Sequence, residues 1–123
     1  MAKVLGVGGI FFKAADVPAV SDWYRRVLGL ELADWGGAAF PPLPRGVTVW
    51  SPFAADTGYF APSAQPFMVN FVVDDLDAVL IRVAAEGVEV LGRDDQDAMG
   101  RFAWIMDPAG VKIELWEPAA EAD

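Results

Sequence analysis

The sequence predicts an α+β domain of two tandem βαβββ modules, with eight strands curving round a shared cleft and the helices outside. Three observations carry that prediction. Each half holds one helical segment that opens on an aspartate and closes at a glycine. An apolar run precedes each helix, Val7 to Ala14 and Phe67 to Val73, and one short pattern follows each, Gly29-Leu30-Glu31-Leu32 and Gly87-Val88-Glu89-Val90. Each half also closes on a like phrase, Val49-Trp50-Ser51-Pro52 against Leu115-Trp116-Glu117-Pro118. One copy alone, four strands and a helix, cannot cover both faces of its sheet, whereas two copies enclose a common interior.

Taken in order, the run from Val4 to Phe12 has the apolar core of a signal peptide but no small-residue cleavage site after it. Its counterpart later in the chain makes it a strand. Asp16 caps a helix whose apolar positions Val17, Val20, Trp23, Tyr24, Val27 and Leu28 follow helical spacing to Gly29. Module one runs over about 4–52. Residues 53–66, rich in Pro, Ala, Ser and Gly, read as a linker, and module two runs over about 67–118. Asp75 caps the second helix, with Leu76, Val79, Leu80 and Val83 on its apolar side and Gly87 at its end. The acidic run Asp94-Asp95-Gln96-Asp97 reads as a solvated loop. In RFAWIMDPAGVKIELW, residues 101 to 116, two apolar runs flank Asp107-Pro108-Ala109-Gly110, which is the signature of a β-hairpin.

Composition narrows the function. With 123 residues the chain makes one domain, and 54% hydrophobic against 22% charged residues marks it as globular. No apolar stretch reaches the about 18 residues of a membrane span. The net charge of −9 excludes a nucleic-acid footprint, which calls for a basic stripe. Up to Phe60 five basic residues balance five acidic ones, so the whole excess lies in the second half and favours cationic over anionic ligands there. The chain has no cysteine and no histidine. That removes disulfides, thiol nucleophiles and the usual zinc ligands, and it suits the cytoplasm. Two look-alikes carry nothing. Gly6-Val7-Gly8-Gly9 lacks the spacing of a dinucleotide loop, and the calcium-loop imitation from Asp95 places Met99 and Met106 where oxygen ligands belong.

The repeat, the phrase Asp22-Trp23-Tyr24-Arg25-Arg26-Val27-Leu28-Gly29-Leu30, and Asp107-Pro108-Ala109-Gly110 followed by Ile113-Glu114-Leu115 resemble the vicinal oxygen chelate superfamily. That superfamily includes glyoxalase I, extradiol dioxygenases, fosfomycin-resistance enzymes and bleomycin-resistance proteins. The resemblance covers about Val7 to Pro118 and implies a homodimer. In the metal-dependent members, ligands sit on the first and last strands of each half, histidines at the strand starts and a glutamate near the end. The matching positions in this chain are Gly9, Thr48, Met68 and Glu114. Only Glu114 keeps a ligand of the family's kind. One carboxylate and one hydroxyl fall short of a catalytic divalent site, so neither a metal nor another cofactor is expected.

Strand parity then lines the cleft. With Glu114 inward, Lys112 and Trp116 face the cleft too, while Val111, Ile113 and Leu115 pack under the helix. Parity from the other family positions adds Phe11, Lys13, Asn70 and Trp50, and the family's pattern turns Phe102, Trp104 and Met106 inward. The surface is aromatic with a few polar groups, the make-up of a small-molecule pocket. Two functions follow. One is a metal-free binding protein of the bleomycin-resistance type that holds an aromatic or cationic compound without chemistry. The other is a glyoxalase-like isomerase, epimerase or lyase with Glu114 as general base and Lys13 or Lys112 stabilising an enolate. A third role for Glu114 is a plain ion pair with Lys13 or Lys112.

Overall fold

The computed structural model describes residues 2–120. Helix α1 (Val17–Leu28) is followed by strand β1 (Met68–Val72), helix α2 (Leu76–Ala85), and strands β2 (Gly92–Asp97), β3 (Gly100–Met106) and β4 (Lys112–Pro118). The second half therefore forms the expected strand-helix-three-strand unit, but the strand after α2 is Gly92–Asp97 and not the Gly87-Val88-Glu89-Val90 pattern read as a strand from sequence. Its sheet order is β1-β4-β3-β2, with β1 parallel to β4 and the other pairs antiparallel. With α1 added, the fold is mixed α+β.

Both helices start as the sequence predicts. The Asp16 carboxylate accepts from the Ala19 amide and the Asp75 carboxylate from the Ala78 amide, each at 3.1 Å. Pro18 sits in the first turn of α1, where its missing N–H costs nothing. Helix α1 ends at Gly29, whose φ of +73° suits glycine and whose missing side chain leaves room for Arg82. A Cβ there would stand 2.8 Å from the Arg82 guanidinium. Arg82 uses that opening to donate to the Arg25 and Arg26 carbonyls, so α2 caps the C-terminus of α1.

The core lies between the sheet and the two helices. Alternation along the hairpin sends Ala103, Ile105, Ile113 and Leu115 to that side, where Val27, Leu76 and Val83 meet them, all fully buried. Each large aliphatic side chain among them contributes about 1.5–3 kcal/mol by leaving water. Tyr24 of α1 joins the cluster through its ring and donates its hydroxyl to Asp107, at the β3–β4 turn.

One further expectation needs correction, and another is met only in part. The run Asp94-Asp95-Gln96-Asp97 is not a loop but part of edge strand β2, paired with β3 through Asp94↔Phe102 and Asp97↔Gly100. The ladder partner on β3, which local charge cannot reveal, decides this. Charges also suit an edge strand, because they discourage further strand addition. Asp95 and Asp77 of α2 share Arg93 and Arg101 at 2.6–3.0 Å, and the Glu117 side chain caps the start of α2 through the Leu76 amide. Part of the acidic excess is thus paired with arginine. After the turn that leaves β2, β3 opens at Gly100, where φ is +134° and a Cβ would lie 2.2 Å from the Glu117 carbonyl oxygen. No other residue fits that approach.

The first half meets its expectation in part. Among the described residues it supplies α1 but no strand, so the sheet has four strands where eight were expected. Its candidate strands are poor ladder formers. Pro41, Pro42 and Pro44 have no amide to donate, and Gly6, Gly8 and Gly9 lose the most backbone entropy on ordering. Their apolar side chains consequently face outward, with Leu5 at 91% and Val49 at 70% exposure.

Candidate functional site

Glu114 occupies the middle of β4, and β4 is an inner strand with β1 on one side and β3 on the other. Register places Asn70 and Trp104 directly opposite it, and the period of two puts all three side chains on the face away from the helices. The carboxylate is 8% exposed. Asn70 Nδ2 donates to Oε1 at 2.7 Å, Trp104 Nε1 donates to Oε2 at 2.8 Å, and the Tyr59 hydroxyl donates to Oε2 as well. All three donors are neutral.

Lys112, two residues along β4, makes no ion pair with Glu114 among the described residues. Its Nζ donates instead to the Tyr59 carbonyl at 2.6 Å and lies over the Tyr59 and Trp104 rings, 5.2 and 5.9 Å from their centroids. The ion-pair reading of Glu114 is therefore replaced by a shell of neutral donors. Further along the same face, Trp104, Phe102 and Trp116 stack in a row. Their neighbouring centroids are 6.4 and 6.0 Å apart and the ring planes nearly parallel. Trp116 is held in place by its indole N–H, which donates to the Met99 carbonyl at 2.9 Å.

Of the residues singled out from sequence, Asn70, Phe102, Trp104, Met106, Lys112, Glu114 and Trp116 share this face, together with Met68 opposite Lys112. Those of the first half do not reach it. Trp50 is 79% and Phe11 91% exposed. Phe11 and Lys13 border a separate cavity of about 430 Å³ with Gln65, Phe67 and Val111. Another cavity, of about 390 Å³, lies on the helix side near Leu28, Phe40 and Phe71. Neither includes Glu114, over which Tyr59 stands.

Tyr59 was not foreseen. It belongs to the stretch read as a linker, which folds back over the sheet as successive turns closed by Thr57 N to Ala54 O, Ala61 N to Gly58 O and Ser63 N to Phe60 O. Phe53 stacks on Tyr59 at 5.6 Å, and Phe60 packs against Phe53 at 5.2 Å. Three aromatics amid small and polar residues are the signal that could have found it, because a solvated linker has no use for them.

Burial, and then the hydrogen bond to Glu114, push the Tyr59 hydroxyl up to about 12. Tyr24 is raised by the same two causes, with Asp107 as acceptor. These are the chain's two tyrosines. Because the folded value of Tyr59 exceeds the ordinary 10, its hydrogen bond contributes fully below pH 10 and is lost as pH rises towards 12. Absorbance titration of the native protein is expected to show no tyrosinate as pH passes 10. A normal phenol transition there would contradict the geometry.

The residues do not suit a divalent metal. Glu114 already receives three hydrogen bonds, Gly9 offers no side chain, Thr48 offers only a neutral hydroxyl, and Met68 offers only a thioether. Among the described residues, no three His, Cys, Asp or Glu side chains come together as a ligand group. Nor is any described helix long and apolar enough to cross a membrane.

Comparison with known proteins agrees with the fold. CFP32 of Mycobacterium bovis and Mycobacterium tuberculosis, named provisionally as a glyoxylase, is 29% identical over 116 residues. That match covers 94% of this chain but only 37% of the relative's length, so the chain spans little more than a third of CFP32. TnmS3, an antibiotic binding protein from Streptomyces sp. CB03234, superposes with a TM-score of 0.62 at 24% identity, covering 97% of this chain and all of that one. The VPC_CASS1 protein from the mobile metagenome of V. Pseudocholerae gives 0.63 at 18%, covering 98% and 99%. At these identities the two structures show a common fold. The family described as Glyoxalase/Bleomycin resistance protein/Dioxygenase superfamily matches residues 10–115, nearly the whole chain, and the chain belongs to that family.

Proposed function

We propose that this protein binds a small aromatic or cationic compound, without a metal and without catalysing a reaction, on the aromatic face of its sheet. One observation carries the reading: a buried carboxylate, Glu114, whose two oxygens accept from neutral donors beside stacked Trp104, Phe102 and Trp116. Such a site offers a strong acceptor and flat apolar walls, which is what orientation and affinity for a small ring require. It is poorly arranged for proton abstraction, because both carboxylate oxygens already accept hydrogen bonds. TnmS3, of the same fold, is an antibiotic-binding protein, which supports binding as a use for this architecture.

The finer architecture belongs to the same proposal. The first half completes a second βαβββ module, eight strands in all, when its outward-facing segments find partners, and a second copy of the chain supplies or stabilises that pairing as a homodimer. Phe11 and Trp50 would then leave solvent, which their exposure makes favourable. Neither nucleic acid nor membrane is a partner, and the cysteine-free composition suits the cytoplasm, where cell fractionation would find the protein.

Native mass spectrometry of protein purified without chelator reads metal and subunit number together. A metal-free dimer is expected. One equivalent of a divalent metal overturns the metal-free reading, and a monomer at micromolar concentration overturns the pairing. Quenching of tryptophan fluorescence by aromatic compounds, with each compound recovered unchanged, tests binding without turnover.

A further inference from the structure

The way Tyr59 engages the site identifies the class of compound it takes, provided that this face is the ligand site proposed above. Tyr59 is not part of the sheet. It is a phenol on a turn-built segment, 41% exposed, that reaches the sheet through few polar contacts. These are its hydroxyl on Glu114, its carbonyl on Lys112, and, four residues on, the Ser63 hydroxyl on the Gly110 carbonyl. Phe53 and Phe60 of its own segment pack on the Tyr59 ring, and the sheet groups that meet it match a phenol. Glu114 accepts its O–H, Trp104 meets its ring edge-on at 6.3 Å, and Lys112 lies over its face at 5.2 Å. Withdrawing an exposed turn costs far less than opening a core, so a ligand can take its place.

We propose that Tyr59 stands in for the ligand, and that the ligand is a neutral hydroxyaromatic compound whose O–H replaces the Tyr59 hydroxyl on Glu114. Charge decides between this and the cationic class that the acidic second half suggests. A cationic ligand in the place of the Tyr59 side chain would have the Lys112 ammonium beside it, since Lys112 Nζ lies 5.2 Å from the ring centroid, and that repulsion opposes its attraction to Glu114. A phenol meets no such repulsion. It forms a charge-assisted hydrogen bond to the carboxylate, and its ring accepts the Lys112 charge on its face. The three donors now on Glu114, an amide, an indole and a phenol, are all neutral, which is the shell a neutral ligand donor would join.

The test uses 4-fluorophenol, 4-fluoroanisole and 4-fluorobenzylammonium, followed by ¹⁹F NMR titration against the full chain, its Tyr59→Ala variant and its Tyr59→Phe variant. Tyr59→Ala removes the competing phenol, and Tyr59→Phe removes only its hydroxyl. Both are expected to bind 4-fluorophenol more tightly than the wild-type chain, the alanine variant by tenfold or more. In the alanine variant 4-fluorophenol is expected to bind at least tenfold more tightly than 4-fluoroanisole, which cannot donate. Equal affinities for phenol and anisole would overturn the hydroxyl's role while leaving an aromatic cleft. Preference for the ammonium would overturn the neutral class in favour of a cation. No binding of any probe to any of the three proteins would overturn the binding site itself. Should the alanine variant not fold, the phenylalanine variant decides: affinity for 4-fluorophenol no higher than wild type overturns the stand-in.

Discussion

Asp107→Ala is expected to destabilise the protein by about 4 kcal/mol, read by urea denaturation, which is a large part of the 5–15 kcal/mol typical of a domain. Asp107 is 6% exposed at the start of the turn between β3 and β4. Its Oδ1 accepts from the Ala109 and Val111 amides, both at 2.8 Å, and its Oδ2 accepts the Tyr24 hydroxyl. Alanine leaves the buried Val111 amide and the buried Tyr24 hydroxyl without that acceptor, at about 1–3 kcal/mol each, and loosens the turn that sets the hairpin register. The consequence is not local. Tyr24 belongs to α1, so the bond fastens the first half's helix to the second half's hairpin, and edge-on contacts with Trp23 of α1 and Phe71 of β1 also hold its ring. Tyr24→Phe isolates that link and should cost about 1.5–3 kcal/mol, the value of a hydrogen bond to a charged group. A double-mutant cycle should show the two changes to be strongly non-additive. A cost below about 1 kcal/mol for Asp107→Ala would mean that water replaces the carboxylate and that no latch exists.

What the sequence revealed, and what it hid, follows from how local each feature is. The hairpin was legible because Val111, Ile113 and Leu115 alternate with Lys112, Glu114 and Trp116 around a proline-containing turn. Parity counted from the family's ligand positions, with the family's pattern for the preceding strand, then put Asn70, Trp104 and Glu114 on one face. Helix caps were legible for the same reason, since Asp16 and Asp75 act within their own first turns. The Asp94–Asp97 strand was hidden because its reason for being a strand lies in β3 and in the arginines that receive its charge. Tyr59 was hidden twice. Its segment does form turns, as its composition says, and the hydrogen bond that gives the residue a role spans 55 positions. The first-half strands were read from their likeness to the second half, and a repeated apolar pattern does not show what a strand pairs with. Glycine and proline in those segments weaken them as ladder formers, and the apolar pattern could not display that weakness.

In the Tyr59→Ala chain, where no phenol of the protein competes for the carboxylate, Glu114→Gln should lower affinity for a donor-bearing aromatic ligand about tenfold, and in the wild-type chain it should leave the fold nearly as stable. The amide keeps the shape of the carboxylate. It can aim its oxygen at Trp104 and Tyr59 and its N–H₂ at Asn70, whose own amide turns to accept, so each donor in the shell keeps a partner. What is lost is the charge on the acceptor. Hydrogen bonds to an ionised group are worth about 1.5–3 kcal/mol and neutral ones about 0.5–1.5 kcal/mol, a difference near the 1.4 kcal/mol that makes a factor of ten. Glu114→Ala removes the acceptor itself and leaves the Trp104 indole N–H without one, so affinity should fall about a hundredfold. The pair also separates the two uses of this face. A general base contributes about 10²–10⁴-fold to the chemical step and almost nothing to holding the substrate. An enzyme would therefore lose far more turnover than affinity in Glu114→Gln, whereas a binding protein has only the tenfold loss of affinity to show. Calorimetric titration and product analysis on the two variants read both quantities. Turnover in the wild-type chain that disappears in Glu114→Gln would replace the binding reading with acid–base chemistry at this carboxylate.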